Sequence, residues 1–196
     1  MPDPYPDFAS LAASAREGVD FRIRMRPRHS TIAIVAPHGG GIEPGTSEIA
    51  EAVAGETHTF YAFEGIKPSG NGALHVASTR FDEPRCLERL AAVERVMAIH
   101  GERSETRVVF VGGLDTVLAE RIAGALGSRG FEVRAHAILV GLEPLNLCNR
   151  GRSGAGVQLE LSRGLRRGCF RSLDAAGRRH PTRAFGLLDE ALCAGL

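Results

Sequence analysis

Residues 31–55 read TIAIVAPHGGGIEPGTSEIAEAVAG and set out a strand, a tight turn and a helix in succession. TIAIVAP (31–37) is a near-continuous, β-branched apolar run, the pattern of a strand buried on both faces. PGTSEIAEAVAG (44–55) reads as a helix, with Pro44 suited to its first turn and Gly55 to its stop. Between them lies HGGGIE (38–43). Three successive glycines open backbone angles closed to other residues, so the chain can double back after His38 and bring Glu43 to the mouth of the helix.

The same alternation extends outward. THTFYAF (57–63) and ALHVAST (73–79) read as strands around the turn GIKPSGNG, and EPRCLERLAAV (83–93) as a helix opened by Pro84. RVMAIH (95–100), RVVFVGG (107–113), FEVRAHA (131–137) and VQLELS (157–162) follow as strands. LDTVLAERIAGALGSRG (114–130) is the clearest amphipathic helix, and TRAFGLLDEALCAGL (182–196) closes the chain as another. Strands separated by helices imply crossover connections, hence an α/β fold with a mixed, mostly parallel sheet flanked by helices. The reading is one domain over residues 31–196, with residues 1–30 as an N-terminal extension packed on it. Within that extension RIRMRPRH (22–29) is a strand or an arm.

Composition narrows the function classes. The chain has 196 residues, 43% hydrophobic and 24% charged, enough to bury a core. A formal charge of +1 excludes a globally polybasic binder of nucleic acid or membrane surface. No apolar run approaches the roughly 18 residues of a membrane span. MPDPYPDFAS shows no basic stretch followed by an apolar one, so a cytoplasmic location is expected. Cys86, Cys148, Cys169 and Cys193 are too scattered for a cysteine zinc site and read as free thiols. Of 24 basic residues only Lys67 is lysine, a compact ammonium in a chain that otherwise uses arginine.

In sheets of this kind, ligands bind beyond the carboxyl ends of the strands. His38 and Glu43 stand at one such end and His100 at another, if the two strands run parallel. Two imidazoles and a carboxylate form the ligand set of a catalytic zinc that keeps a position open for water, and zinc lowers the pKa of that water to about 7. The competing reading of HGGG is a plain strand-to-helix turn or an anion cradle. Against the cradle, no Gly-Lys-Ser/Thr follows, and Glu43 would face the anion. His29, His58, His136 and His180 lie at less telling places, and His75 falls within the expected strand 73–79. Glu160, between Leu159 and Leu161, is a carboxylate in an apolar strand and needs a partner or a task. An arginine partner is one reading, and proton transfer beside the metal the other. Residues 150–183 carry nine arginines and two acids, which favours an acidic substrate. The same patch would serve a non-catalytic nucleic-acid-binding protein, although aromatic residues to stack bases are scarce there.

Five ordered phrases carry a resemblance: APHGGGIEPGTSEIA (36–50), YAFEGIKPSGNGALHVASTRFDEP (61–84), AIHG (98–101), GGLD (112–115) and NLCNRGRSGAGVQLELSRGLR (146–166). Together they resemble the poly-γ-glutamate hydrolase family, which is phage- and bacteria-associated and similar in fold to zinc carboxypeptidases and N-formylglutamate amidohydrolases. The resemblance implies that His38, Glu43 and His100 bind zinc and that Glu160 is general base and acid. It implies that Asn149 and Arg150 hold a substrate carboxylate, and that Lys67 and Asn71 line the pocket wall. The substrate class is then a γ-glutamyl polymer or a small acidic amide. Zinc carboxypeptidases space their first two ligands as HxxE, whereas four residues separate His38 from Glu43.

Overall fold

The computed structural model describes residues 3–196; Met1 and Pro2 of the leading segment lie outside the described residues. Seven strands form one sheet in the order β1-β3-β2-β4-β7-β5-β6: β1 (Phe21–Arg26), β2 (Ile32–Gly40), β3 (Thr59–Gly65), β4 (Arg95–Glu102), β5 (Val108–Gly112), β6 (Glu132–Arg134) and β7 (Val157–Ser162). β3, β2, β4 and β7 run parallel at the centre, with β1 antiparallel on β3 and β5 antiparallel on β7. The sheet is therefore mixed, and its parallel centre puts the ends of β2, β4 and β7 along one edge.

Side chains alternate across the sheet and divide the core in two. Ile34, Ala36, Met97, Ile99, Leu159 and Leu161 face one side. There they meet α2 (Thr46–Ala54), α4 (Thr116–Ser128), α5 (Arg163–Cys169) and α6 (Arg183–Gly195) through Ile49, Ile122, Leu165 and Leu188. Ala33, Val35, Tyr61, Phe63, Val96 and Ala98 face the other side, under α1 (Phe8–Ala12) and α3 (Pro84–Ala91). α3 begins at Pro84, and the Glu83 side chain caps it by accepting from the Cys86 amide at 2.7 Å. No helix among the described residues is long and apolar enough to cross a membrane. The four cysteines are free thiols.

One expectation changes. Residues 73–79 are not a strand: a 3₁₀ turn over Asn71–Leu74 leads into a loop that lies over the sheet face, where Leu74 and Val76 are buried. Their alternation mimics a strand because one side of the loop is packed and the other is not. The leading segment supplies an edge strand, β1, and core side chains. Phe8 and Phe21 join Phe63 and Phe81 in an aromatic cluster with ring centroids 5.0–5.9 Å apart.

Cutting Phe8 back to alanine therefore opens a cavity under β3. Phe8→Ala is expected to lower stability by about 3 kcal/mol, read from the urea midpoint at unchanged slope; a shift worth under about 1 kcal/mol would mean the segment adds little to the fold.

Candidate active site

The site begins with a fault in the sheet. Pro37 has no amide to donate, and the β2–β3 register slips between Ala36 and Gly39, so that one extra β2 residue is accommodated there. Such bulges re-aim side chains, and here the displaced residue is His38, which is buried. Gly40 follows at φ +64, where an added Cβ would lie 2.4 Å from the Gly65 carbonyl. The chain then turns back: the Glu43 amide donates to the His38 carbonyl at 2.8 Å, and Gly45, at φ +100, leads into α2. The return places Glu43 Oε1 3.2 Å from His38 Nδ1.

β4 and β7 complete the group. His100 Nδ1 lies 3.2 Å from His38 Nδ1 and 3.9 Å from Glu43 Oε2, and Oε2 accepts from the Gly101 amide at 2.8 Å. The outer nitrogens are engaged elsewhere: His38 Nε2 lies 2.8 Å from the Val76 carbonyl and His100 Nε2 3.2 Å from Ser78 Oγ. Both Nδ1 atoms thus turn towards the carboxylate. Glu160 stands opposite His100 in the β4–β7 register. It is buried, with Oε1 accepting from Gln158 Nε2 at 3.0 Å, and Gln158 is held in turn by Asn146 at 2.7 Å.

Sequence reasoning did not place His75 here. It stacks on His38 with ring centroids 3.9 Å apart, sets Nε2 3.7 Å from Glu43 Oε1 and holds Asp3 through Nδ1 at 2.7 Å. His38, Glu43 and His75 offer ligand atoms within 4.8 Å of one another. Read as a strand, residues 73–79 gave no sign of this; only the lack of a partner strand distinguishes the loop.

The electrostatics centre on Glu43. Burial would raise its pKa, but His38 first, then His100 and His75, carry it down to about 2. Burial also opposes a charge on His38, yet Glu43 and the Val76 carbonyl hold that ring above its ordinary value. Burial and the charge of His38 push His100 down to about 3 and lower His75 as well. His100 and His75, held neutral, keep a lone pair for a metal, whereas His38 would release a proton on binding one. Burial, with Glu43 and Glu102 adding repulsion, lifts Glu160 up to about 9.

Arg166 ties these pieces together from behind. The guanidinium is buried and donates to Pro44, Glu102 and Leu161 carbonyls at 2.6, 2.9 and 3.0 Å. Each carbonyl belongs to a residue one or two positions after Glu43, His100 or Glu160. Gly101 leaves the room, since a Cβ there would sit 2.7 Å from Arg166 Cζ and 2.9 Å from Glu43 Cβ.

The remaining expected residues lie elsewhere. Asn149 is buried with its amide occupied: Nδ2 donates to Gly141 and Glu143 carbonyls, and Oδ1 accepts from the Gly156 and Leu114 amides. Gly156 is four residues before Glu160, about 13 Å at the rise of a strand. The structure therefore uses the Asn149 side chain as a loop clamp, with its amide taken up by backbone and not turned to the imidazoles. Lys67 and Asn71 lie beyond β3, where Asn71 accepts from the Lys67 amide at 2.9 Å and donates to its carbonyl at 2.8 Å. The basic stretch 150–183 is also largely engaged. Arg152 faces Glu94, Arg163 and Arg167 face Glu105, and Arg178 faces Glu48.

Fold and site together define an α/β enzyme that sets a His/Glu cluster with the spacing of metal ligands beside a buried carboxylate, equipment suited to a hydrolase. The chain belongs to the poly-γ-glutamate hydrolase family, whose profile matches residues 5–188, and it is a hydrolase acting on amide bonds. A bacteriophage poly-γ-glutamate hydrolase superposes with a TM-score of 0.96 at 34% identity, over 99% of this chain and 96% of that one. YndL of Bacillus subtilis (strain 168) is 36% identical over 174 residues, 86% of this chain and 67% of its own. A zinc-free apo structure of YndL gives a TM-score of 0.92 at 32% identity, covering 97% of this chain and 96% of that one. The SPbeta prophage-derived YoqZ of the same organism is 35% identical over 179 residues, 90% of this chain and 65% of its own. The chain spans about two thirds of the length of these curated relatives.

Replacing Arg166 by methionine keeps much of the packing and removes the tie. Arg166→Met is expected to destabilise the protein by about 1–3 kcal/mol in denaturant melts, and Arg166→Lys to recover only part of it, because one ammonium cannot span three carbonyls. Full recovery by lysine would reduce the role of Arg166 to its charge.

Proposed function

We propose that the chain is a zinc-dependent amidohydrolase that cleaves γ-glutamyl or related acidic amide bonds. The observation that carries this reading is the convergence of His38 Nδ1, His100 Nδ1 and the Glu43 carboxylate, with both outer imidazole nitrogens already fixed by Val76 and Ser78. Imidazole nitrogens oriented by a second hydrogen bond, together with one carboxylate, fit zinc, with His38 giving up its proton to the ion. The zinc-free form described for YndL supports the same metal.

His38, Glu43 and His100 would hold the ion. His75 is the rival third ligand, but it rides on a loop and stays half-buried, and its ring lies against that of His38 with its Nδ1 on Asp3. His100 is fixed in a central strand. When bound, zinc acts as a Lewis acid on the amide carbonyl and eases ionisation of water. The chain supplies the rest. Beside a bound dication the Glu160 carboxyl, lifted to about 9 without one, would ionise; with Oε1 held by Gln158, its Oε2 would then take a proton from the attacking water and hand it to the departing nitrogen.

The decisive experiment measures zinc content and hydrolysis of poly-γ-glutamate together. Chelation is expected to abolish turnover and added zinc to restore it. Glu160→Gln should retain the metal and lose about 10³-fold in kcat; undiminished turnover would remove Glu160 from the mechanism. His38→Ala and His100→Ala should lose the metal, whereas His75→Ala should keep most of it. The reverse result for His75 and His100 would exchange their roles.

A further inference from the structure

The turn over residues 39–44 has a second side. One side carries Glu43 to the imidazoles; the other closes a cavity of about 340 Å³ bounded by Gly40, Gly41 and Pro44, by the loop after β3 and by the segment leading into residues 178 and 179. Four cationic side chains face this cavity, Arg22, Lys67, Arg178 and Arg179, against Glu48 and Glu64.

Both acids are already matched. Glu64, buried, pairs with Arg22 and Arg24, and Glu48 accepts from Arg178 Nε at 2.7 Å. Lys67 and Arg179 have no acidic partner and no side-chain hydrogen bond among the described residues. Lys67 is half-buried, and its loop is fixed by the two hydrogen bonds with Asn71, so the ammonium stands on a rigid support. It is also the one lysine in a chain with 23 arginines. Two unmatched cations at a cavity that borders the catalytic turn describe an anion site. No aromatic side chain lines it, which removes the stacking surface a nucleotide base would use.

We propose that this cavity binds a carboxylate of an acidic chain whose scissile amide lies across the turn at the imidazoles, with Lys67 and Arg179 as the receiving cations. The inference rests on the hydrolase reading and deepens it: the substrate is recognised as a polymer, by a residue beyond the cleaved linkage. A polyanion then gains from both sides of the turn, and a short γ-glutamyl amide from one.

The test compares long poly-γ-glutamate with a γ-glutamyl dipeptide amide, using wild-type protein and the double variant Lys67→Ala/Arg179→Ala, with zinc content and melting temperature recorded for both. The double variant should raise KM for the polymer about tenfold with kcat little changed, so that the polymer-to-dipeptide ratio of kcat/KM drops by about the same factor. Raising salt from about 0.05 to 0.3 M should erode the wild-type preference for polymer more than that of the variant. Equal losses on both substrates, or an unaltered polymer KM, would overturn the proposal. Should the wild-type protein hydrolyse neither substrate, the hydrolase reading fails on its own. Polymer binding to Glu160→Gln protein then decides the cavity: tenfold weaker binding with Lys67→Ala/Arg179→Ala added supports it, and equal or absent binding overturns it.

Discussion

A carboxylate held out of water must be surrounded by charge and donors or it destabilises the fold, and Glu43 is that carboxylate here. His38 and the Gly101 amide contact it directly, His100 and His75 stand within 4 Å, and Arg166 lends positive charge from behind. Much of the local architecture follows from meeting this demand. The bulge before Gly39 turns His38 inward, Gly40 and Gly45 let the chain return, and Gly101 admits both Glu43 and the guanidinium. A side chain at Gly101 would push the two apart.

The mixed sheet explains why the chemistry collects where it does. β2, β4 and β7 run parallel, so His38, His100 and Glu160 come from separate stretches and still share one edge. Being near strand ends, they keep the rigidity of the sheet while facing an open rim. β5 runs the other way, and so offers the start of its strand at that rim; the turn after Gly112 belongs to the opposite end, beside Asn149 and Gly156. Strand direction thus separates the two motifs, HGGGIE and CNRG, that a linear reading places in one site.

How much was legible depends on the range of the interaction concerned. His38 and Glu43 are five residues apart, and the intervening glycines announce a local turn, so their meeting could be foreseen. His100 and Glu160 required only the assumption of parallel neighbours, which the apolar runs supported. His75 belongs to a loop whose Leu74 and Val76 pack like alternate residues of a strand, and a hydrophobic pattern reports packing, not backbone pairing. Arg166 looked like one basic residue among nine because charge counting cannot tell a solvated guanidinium from one enclosed by three carbonyls. Asn149 carried the right residue type for substrate binding, but its donors and acceptors are satisfied by backbone around Gly141 and Gly156.

Charge distribution also bears on how an acidic chain is received by a nearly neutral protein. The arginine-rich stretch from 150 to 183 looks attractive in one dimension, yet most of its cations face Glu48, Glu94 and Glu105 or lie buried. Exposed pairs of this kind contribute little to stability, but they cancel the field that would draw a polyanion to that surface at large. The cations that stay unmatched, Lys67 and Arg179, come from distant parts of the chain and meet at the cavity behind the turn that carries Glu43. Selective pairing therefore leaves unmatched positive charge at that cavity while much of the arginine-rich stretch is neutralised.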